Sequence, residues 1–182
     1  MTRTVLSRHP LTELAASLQQ ELQPVVDRLG YFGEFFQVFG QVPSAMETFM
    51  GYTRSVKAPL SDAENELLAL TVCASLGADY ERIQHERLCV KLGIGLDWIA
   101  AASGRAGHDP SWLSESEQGL RRLALAIVER HGKNCQDEIS ACVSAIGQIK
   151  TKAALLQITR FTAIATLCNC DQLALPVPSV FD

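Results

Sequence analysis

The stretch from Glu66 to Leu92, ELLALTVCASLGADYERIQHERLCVKL, holds the side chains best suited to moving a proton. On a helix, His85 has Glu81 and Arg82 on one side and Leu88, Cys89 and Leu92 on the other, so its imidazole points partly inward. Glu66 shares a face with Leu70 and Cys73, which sets a carboxylate against the core side of the preceding helix. Gly77 breaks the run between them. If the two helices pack antiparallel, Glu66 lies about ten residues before the break and His85 about eight after it, and the two can meet. A buried imidazole held by a carboxylate has a raised pKa and a fixed tautomer, as a general base or proton shuttle requires. The competing reading is a satisfied core histidine, with Glu81 four residues earlier as an ordinary helical partner.

The other chemistry-bearing residues say less. His9 and His108 stand near prolines and loop residues, and His131 sits at a helix end, where a cation suits the dipole. The six cysteines, Cys73, Cys89, Cys135, Cys142, Cys168 and Cys170, lie mostly inside apolar helical patterns, where a reduced thiol acts as a small hydrophobe. Cys168-Asn-Cys170 has no matching His or Cys pair at zinc-site spacing, so neither a metal nor a cofactor is read from the sequence.

Helices must position these groups. Leu11, Leu14, Leu18, Leu22, Val25, Val26 and Leu29 recur at three- and four-residue steps, predicting a helix over 11–29 ended by Gly30. An aromatic segment, YFGEFFQVFG, follows. Pro43 suits a first helical turn, and an apolar face runs on to Pro59. Ser61 opens the next helix, with Asp62, Glu64 and Glu66 early in it, continuing to about Leu76. Asp79 is placed to cap a helix from about Tyr80 to Leu92, and a short helix lies near 96–102. Beyond the loop GRAGHDP, helices are predicted near 114–131, 135–146 and 150–168, with no useful strand pattern. The chain reads as all-α and as one domain over 1–182, with an N-terminal segment 1–42, a core 43–104 and a second half 110–182. LSDAENELLAL (Leu60 to Leu70) resembles LSESEQGLRRL (Leu113 to Leu123), which suggests an internal duplication, although capping signals recur by chance. Glu66 then corresponds to Gly119, leaving the acid in the first copy alone.

Composition narrows the partners. Sixteen Lys and Arg against 20 Asp and Glu give a net charge of −4, with no basic stripe, so nucleic acid is not expected. No apolar stretch approaches the ~18 residues of a spanning helix, and MTRTVLSRHPLTE has no secretory apolar region, so the reading is cytoplasmic, without a membrane partner.

The segment LSDAENELLALTVCASLGADYERIQHERLCVKLGI resembles the core of the carboxymuconolactone decarboxylase and alkylhydroperoxidase-D-like (AhpD-like) superfamily. There a helix bearing Glu precedes a helix carrying either Cys-x-x-Cys-x-x-x-His or Tyr-Glu-x-x-x-His. The resemblance assigns the acid to Glu66 and the histidine to His85, and its flanks extend it over about residues 35 to 170. It implies an AhpD-like multihelical bundle. The redox cysteines of the peroxidase pattern would fall at positions 78 and 81, which here are Ala78 and Glu81. Tyr80-Glu81 instead resembles the decarboxylase-like branch, which implies proton transfer or decarboxylation on a small carboxylated lactone, a lyase-type reaction. Tyr80 and Glu81 join Glu66 and His85 as catalytic candidates on that resemblance, and Arg82 and Arg87 are the nearest cationic anchors for a substrate anion. Each arginine also reads as an ordinary solvated helix charge.

Three functions follow: an acid/base enzyme for a small organic acid or lactone, a non-catalytic binding or scaffold member, or a peroxide-reducing protein using a displaced cysteine. A solvent-connected cavity touching Glu66 and His85 separates the first from the second. A homo-oligomer is also expected. YFGEFFQVFG and the tail LALPVPSVF concentrate apolar side chains that a neighbouring subunit would cover, and the superfamily's habit implies a trimer or hexamer.

Overall fold

A computed structural model describes residues 5–182. Nine α-helices and no strand occur among the described residues: α1 (Ala16–Leu29), α2 (Glu34–Phe39), α3 (Pro43–Lys57), α4 (Asp62–Ser75), α5 (Asp79–Lys91), α6 (Leu96–Ser103), α7 (Glu115–Glu129), α8 (Gln136–Ile146) and α9 (Gln148–Cys170). The all-α expectation holds.

The centre of the bundle is α4, which packs on α5, α6, α7 and α9. Its sequence explains the position, because every residue from Asn65 to Cys73 is buried, leaving no solvated face over two and a half turns. Such a helix needs a strong start. Ser61 accepts from the Glu64 amide (3.1 Å) while the Glu64 carboxylate accepts from the Ser61 amide (2.7 Å). The same box opens α7 with Ser114 and Glu117. That shared start is the part of the repeated sequence pattern visible in the backbone.

Three local expectations need correction. Residues 11–29 do not form one helix: a 3-10 turn at Leu11–Glu13 is separated from α1 by Leu14 in extended backbone. The Gln19 amide donates to the carbonyls of Thr12 and Leu14 (3.3 and 2.8 Å), occupying acceptors that a continuous helix would use, and Leu14 is buried against Gly40. Asp79 does not cap α5. Ala78 is the N-cap, while Asp79, already in the helix, pairs with Arg82 (2.8 Å). Finally, 148–170 is a helix both long and apolar enough to match a membrane span by composition, which the sequence reading denied for any stretch. Half of its apolar window is buried, and it packs against α3, α4, α5, α7 and α8 as a core helix.

The argument for an oligomer also changes. The aromatic segment forms α2, with Phe35 and Val38 buried and Phe32, Phe36 and Phe39 packed against the protein's own core. The segment after α9 folds back likewise. Leu173 is buried, Arg105 lies 4.2 Å from the Phe181 ring centroid, and the Ser179 hydroxyl donates to the buried Glu86 carboxylate of α5 (2.6 Å). Neither segment needs a neighbour to cover it. The superfamily resemblance alone therefore carries the trimer or hexamer expectation.

Candidate active site

The break after α4 brings α5 back alongside it, and the side chains singled out on the two helices face each other. His85 Nδ1 lies 2.6 Å from Glu66 Oε2, and His85 Nε2 lies 3.6 Å from Glu81 Oε2 on its own helix. The carboxylates are almost sealed from solvent, with side-chain exposures of 3% and 7%, against 16% for the imidazole. Burial pulls the His85 pKa down, but the charge and hydrogen bond of Glu66, followed by those of Glu81, outweigh it and raise the pKa to about 9. The ring is therefore an imidazolium at neutral pH. The resting residue is thus loaded as a proton donor, as a shuttle requires, and becomes a base only after donating.

A cavity of about 360 Å³ adjoins this cluster, lined by Glu66, Tyr80, Glu81 and His85 together with residues of α1, α2, α3 and α9. Its apolar walls include Phe35, Phe36, Phe49 and Phe161, and Phe161 meets the imidazole edge-on with centroids 5.1 Å apart. Its rim carries Arg28, Arg54 and Lys57, where Arg54 pairs with Glu21 and Lys57 with Asp62. Among the described residues no cluster of three or more His, Cys, Asp or Glu side chains is arranged to hold a metal ion.

Tyr80 reaches the cavity, but its oxygen is engaged: it accepts from the Phe35 amide at 3.1 Å, and burial pushes the phenol pKa up. It ties α5 to α2. Gly33 permits the contact, because a Cβ there would sit 2.6 Å from the Tyr80 oxygen.

The two proposed anion anchors lie elsewhere. Arg82 turns to the other flank of α5, pairing with Asp79 and with the buried Glu86. Arg87 projects from the far side beside Tyr31, with its guanidinium 3.4 Å from the Pro178 carbonyl. On α5, Tyr80, Glu81, Gln84, His85 and Leu88 share the cavity face, and the 100° step per residue carries positions 82 and 87 off it.

The arginine in the cavity is Arg160 of α9, 8% exposed, which the sequence reading passed over. Its Nε donates to Gln157 Oε1 (2.9 Å), Gln157 donates to Asn65 Oδ1 (2.8 Å), and Asn65 donates to the Ser61 carbonyl (2.9 Å). This buried chain fixes the guanidinium plane from the first turn of α4. Burial lowers the Arg160 pKa from its ordinary value, with Glu81 acting in the opposite sense. A signal existed: Arg160 and Gln157 interrupt the apolar face formed by Ile158, Phe161 and Ile164.

Residues 40–112 match the carboxymuconolactone decarboxylase family. The fold agrees. An uncharacterised peroxidase-related protein with an alkylhydroperoxidase AhpD core, from Ralstonia eutropha JMP134, is similar at TM-score 0.77 and 14% identity, over 92% of this chain and 91% of that one. The chain thus carries the family's match over 40–112 within an AhpD-like fold. The debrominase Bmp8 shares this fold at TM-score 0.77 and 13% identity, over 97% and 95% of the two chains. A putative antioxidant defence protein AhpD from Agrobacterium tumefaciens matches at TM-score 0.64 and 16% identity, over 75% of this chain and 93% of that one. No curated protein matches.

Proposed function

We propose that this protein is an acid/base enzyme that carries out proton transfer or decarboxylation on a small organic acid or lactone. The observation carrying the reading is the Glu66–His85–Glu81 cluster at the polar end of an apolar cavity, with His85 Nδ1 2.6 Å from Glu66. Glu66 accepts the Nδ1 proton and fixes the ring, so the transferable proton sits on Nε2, facing Glu81 and the cavity. When carbon dioxide leaves a carboxylated lactone, its electron pair remains on carbon. The Nε2 proton is delivered there, and the neutral imidazole recovers a proton from solvent through the cavity, with Glu81 stabilising the restored cation. A cavity open to ligand supports an enzyme over a scaffold.

Thiol chemistry has less support. Cys73, Cys89 and Cys168 are buried, and burial raises each thiol pKa, which suppresses the nucleophilic thiolate.

The test is a screen of purified protein against lactones, organic acids and hydroperoxides in heavy water, repeated with His85→Gln. The expected result is deuterium incorporation into the product of an organic acid or lactone, reduced at least about 100-fold in the variant. Hydroperoxide turnover lost in Cys73→Ser or Cys89→Ser would overturn the reading.

A further inference from the structure

The cavity has a second functional end, and its chemistry specifies what enters. Arg160 is a buried cation whose Nε is held by Gln157, while its terminal nitrogens donate to no carbonyl or side chain of the described residues. Those nitrogens open to the cavity, and two adjacent unengaged N–H groups in one plane match the two oxygens of a carboxylate. The Asn65–Gln157 chain holds this fork in place before any ligand arrives. Binding therefore costs little reorganisation.

The surroundings add shape and charge. The Arg160 guanidinium carbon lies 3.9 Å from the Phe161 ring centroid, and the His85 ring lies 5.1 Å from the same centroid. The two cations are thus separated by no more than the sum of those distances, so one small ligand can touch both. Phe35, Phe36 and Phe49 complete walls suited to a flat, polarizable body. Counting the groups that line the cavity, Arg28, Arg54, Lys57, Arg160 and the His85 imidazolium outnumber Glu21, Glu66 and Glu81 by two, in a protein whose net charge is −4. An anion is drawn toward this opening against the sign of the protein as a whole.

We propose that Arg160 is the substrate-anchoring residue, and that the ligand is a flat, unsaturated one-ring carboxylate. Its carboxylate lies on the Arg160 fork, and its ring lies against the partly exposed Phe36 and Phe49 with the far edge presented to His85. This substrate class deepens the acid/base reading above and rests on it, but its test is binding, which needs no turnover.

Isothermal titration of the whole protein uses benzoate as the flat carboxylate, benzamide as its neutral match and cyclohexanecarboxylate as the puckered one. Benzoate is expected to bind with a dissociation constant at or below about 1 mM, and each control about tenfold more weakly. Arg160→Gln is expected to abolish the preference for benzoate over benzamide. Arg160→Lys, which keeps the charge but not the fork, is expected to bind benzoate at least about fivefold more weakly than the natural protein. His85→Gln is expected to retain the preference for benzoate over benzamide. If it does so while no organic acid is turned over by the natural protein, the acid/base reading falls and the anchor stands. The anchor is overturned if benzoate fails to saturate the protein, if benzamide binds equally well, or if a folded Arg160→Gln or Arg160→Lys protein binds benzoate as tightly as the natural one.

Discussion

Replacing Glu66 by Gln removes the negative charge beside His85 with little change in volume. In the natural protein the His85 pKa is raised from 6.5 to about 9, with burial acting against the rise and Glu66 as the largest cause of it. At about 1.4 kcal/mol per unit, the site favours the imidazolium by roughly 3 kcal/mol. Because the folded-state pKa is raised, this contribution is fully present below the unfolded value of 6.5 and is lost as pH rises through about 9. In Glu66→Gln the largest cause of the rise is gone, and His85 titrates at a lower pH. Urea unfolding of both proteins should therefore show a gap of roughly 3 kcal/mol near pH 6, shrinking to under about 1 kcal/mol near pH 10. Imidazole NMR should show the natural His85 still protonated at neutral pH. A gap independent of pH, or a natural His85 titrating near 6.5, would refute the reasoning.

Tyr80→Phe leaves the buried Phe35 amide without its acceptor, so denaturant unfolding should show a loss of about 1–3 kcal/mol, with turnover per folded molecule changing less than about threefold; a collapse of turnover in a fully folded variant would make Tyr80 catalytic. Native protein should react with one equivalent of a thiol reagent, at exposed Cys170, and with six after unfolding; rapid native labelling of Cys73 or Cys89 would contradict their burial. Sedimentation equilibrium at micromolar concentration tests the trimer or hexamer that the resemblance implies, and a mass of 19.9 kDa would remove it.

The parts of this molecule legible in sequence are those governed by short spacing. Ser61 and Glu64 announce the start of α4, and the apolar period and the break at Gly77, together with the family resemblance, predict that Glu66 and His85 meet. The raised His85 pKa follows from the same pairing with Glu66, and Glu81, four residues earlier on the same helix, adds to it. Arg82 and Arg87 are nearest to His85 along the chain, but helical geometry and the pull of Glu86 and Pro178 turn them away. Arg160 lies 75 positions beyond His85 in a helix that reads as core, and only the packing of α9 against α4 and α5 shows that it reaches the same cavity. The fate of the aromatic and proline-rich segments is likewise a long-range outcome, set by where α5 and α6 leave room for them.

The contact between Ser179 and Glu86 spans 93 positions, and this gives the site a timetable. At roughly 5–20 residues per second, a ribosome makes Glu86 about 5–20 s before Ser179. For most of that interval the carboxylate is neutralised by arginines alone, Arg82 on its own helix and then Arg105, and the cavity lacks the wall that α9 supplies until Arg160 and Phe161 have been made. The proton-donating centre therefore matures late: a nascent chain can hold Glu66 and His85 together without yet possessing the chamber in which they would act.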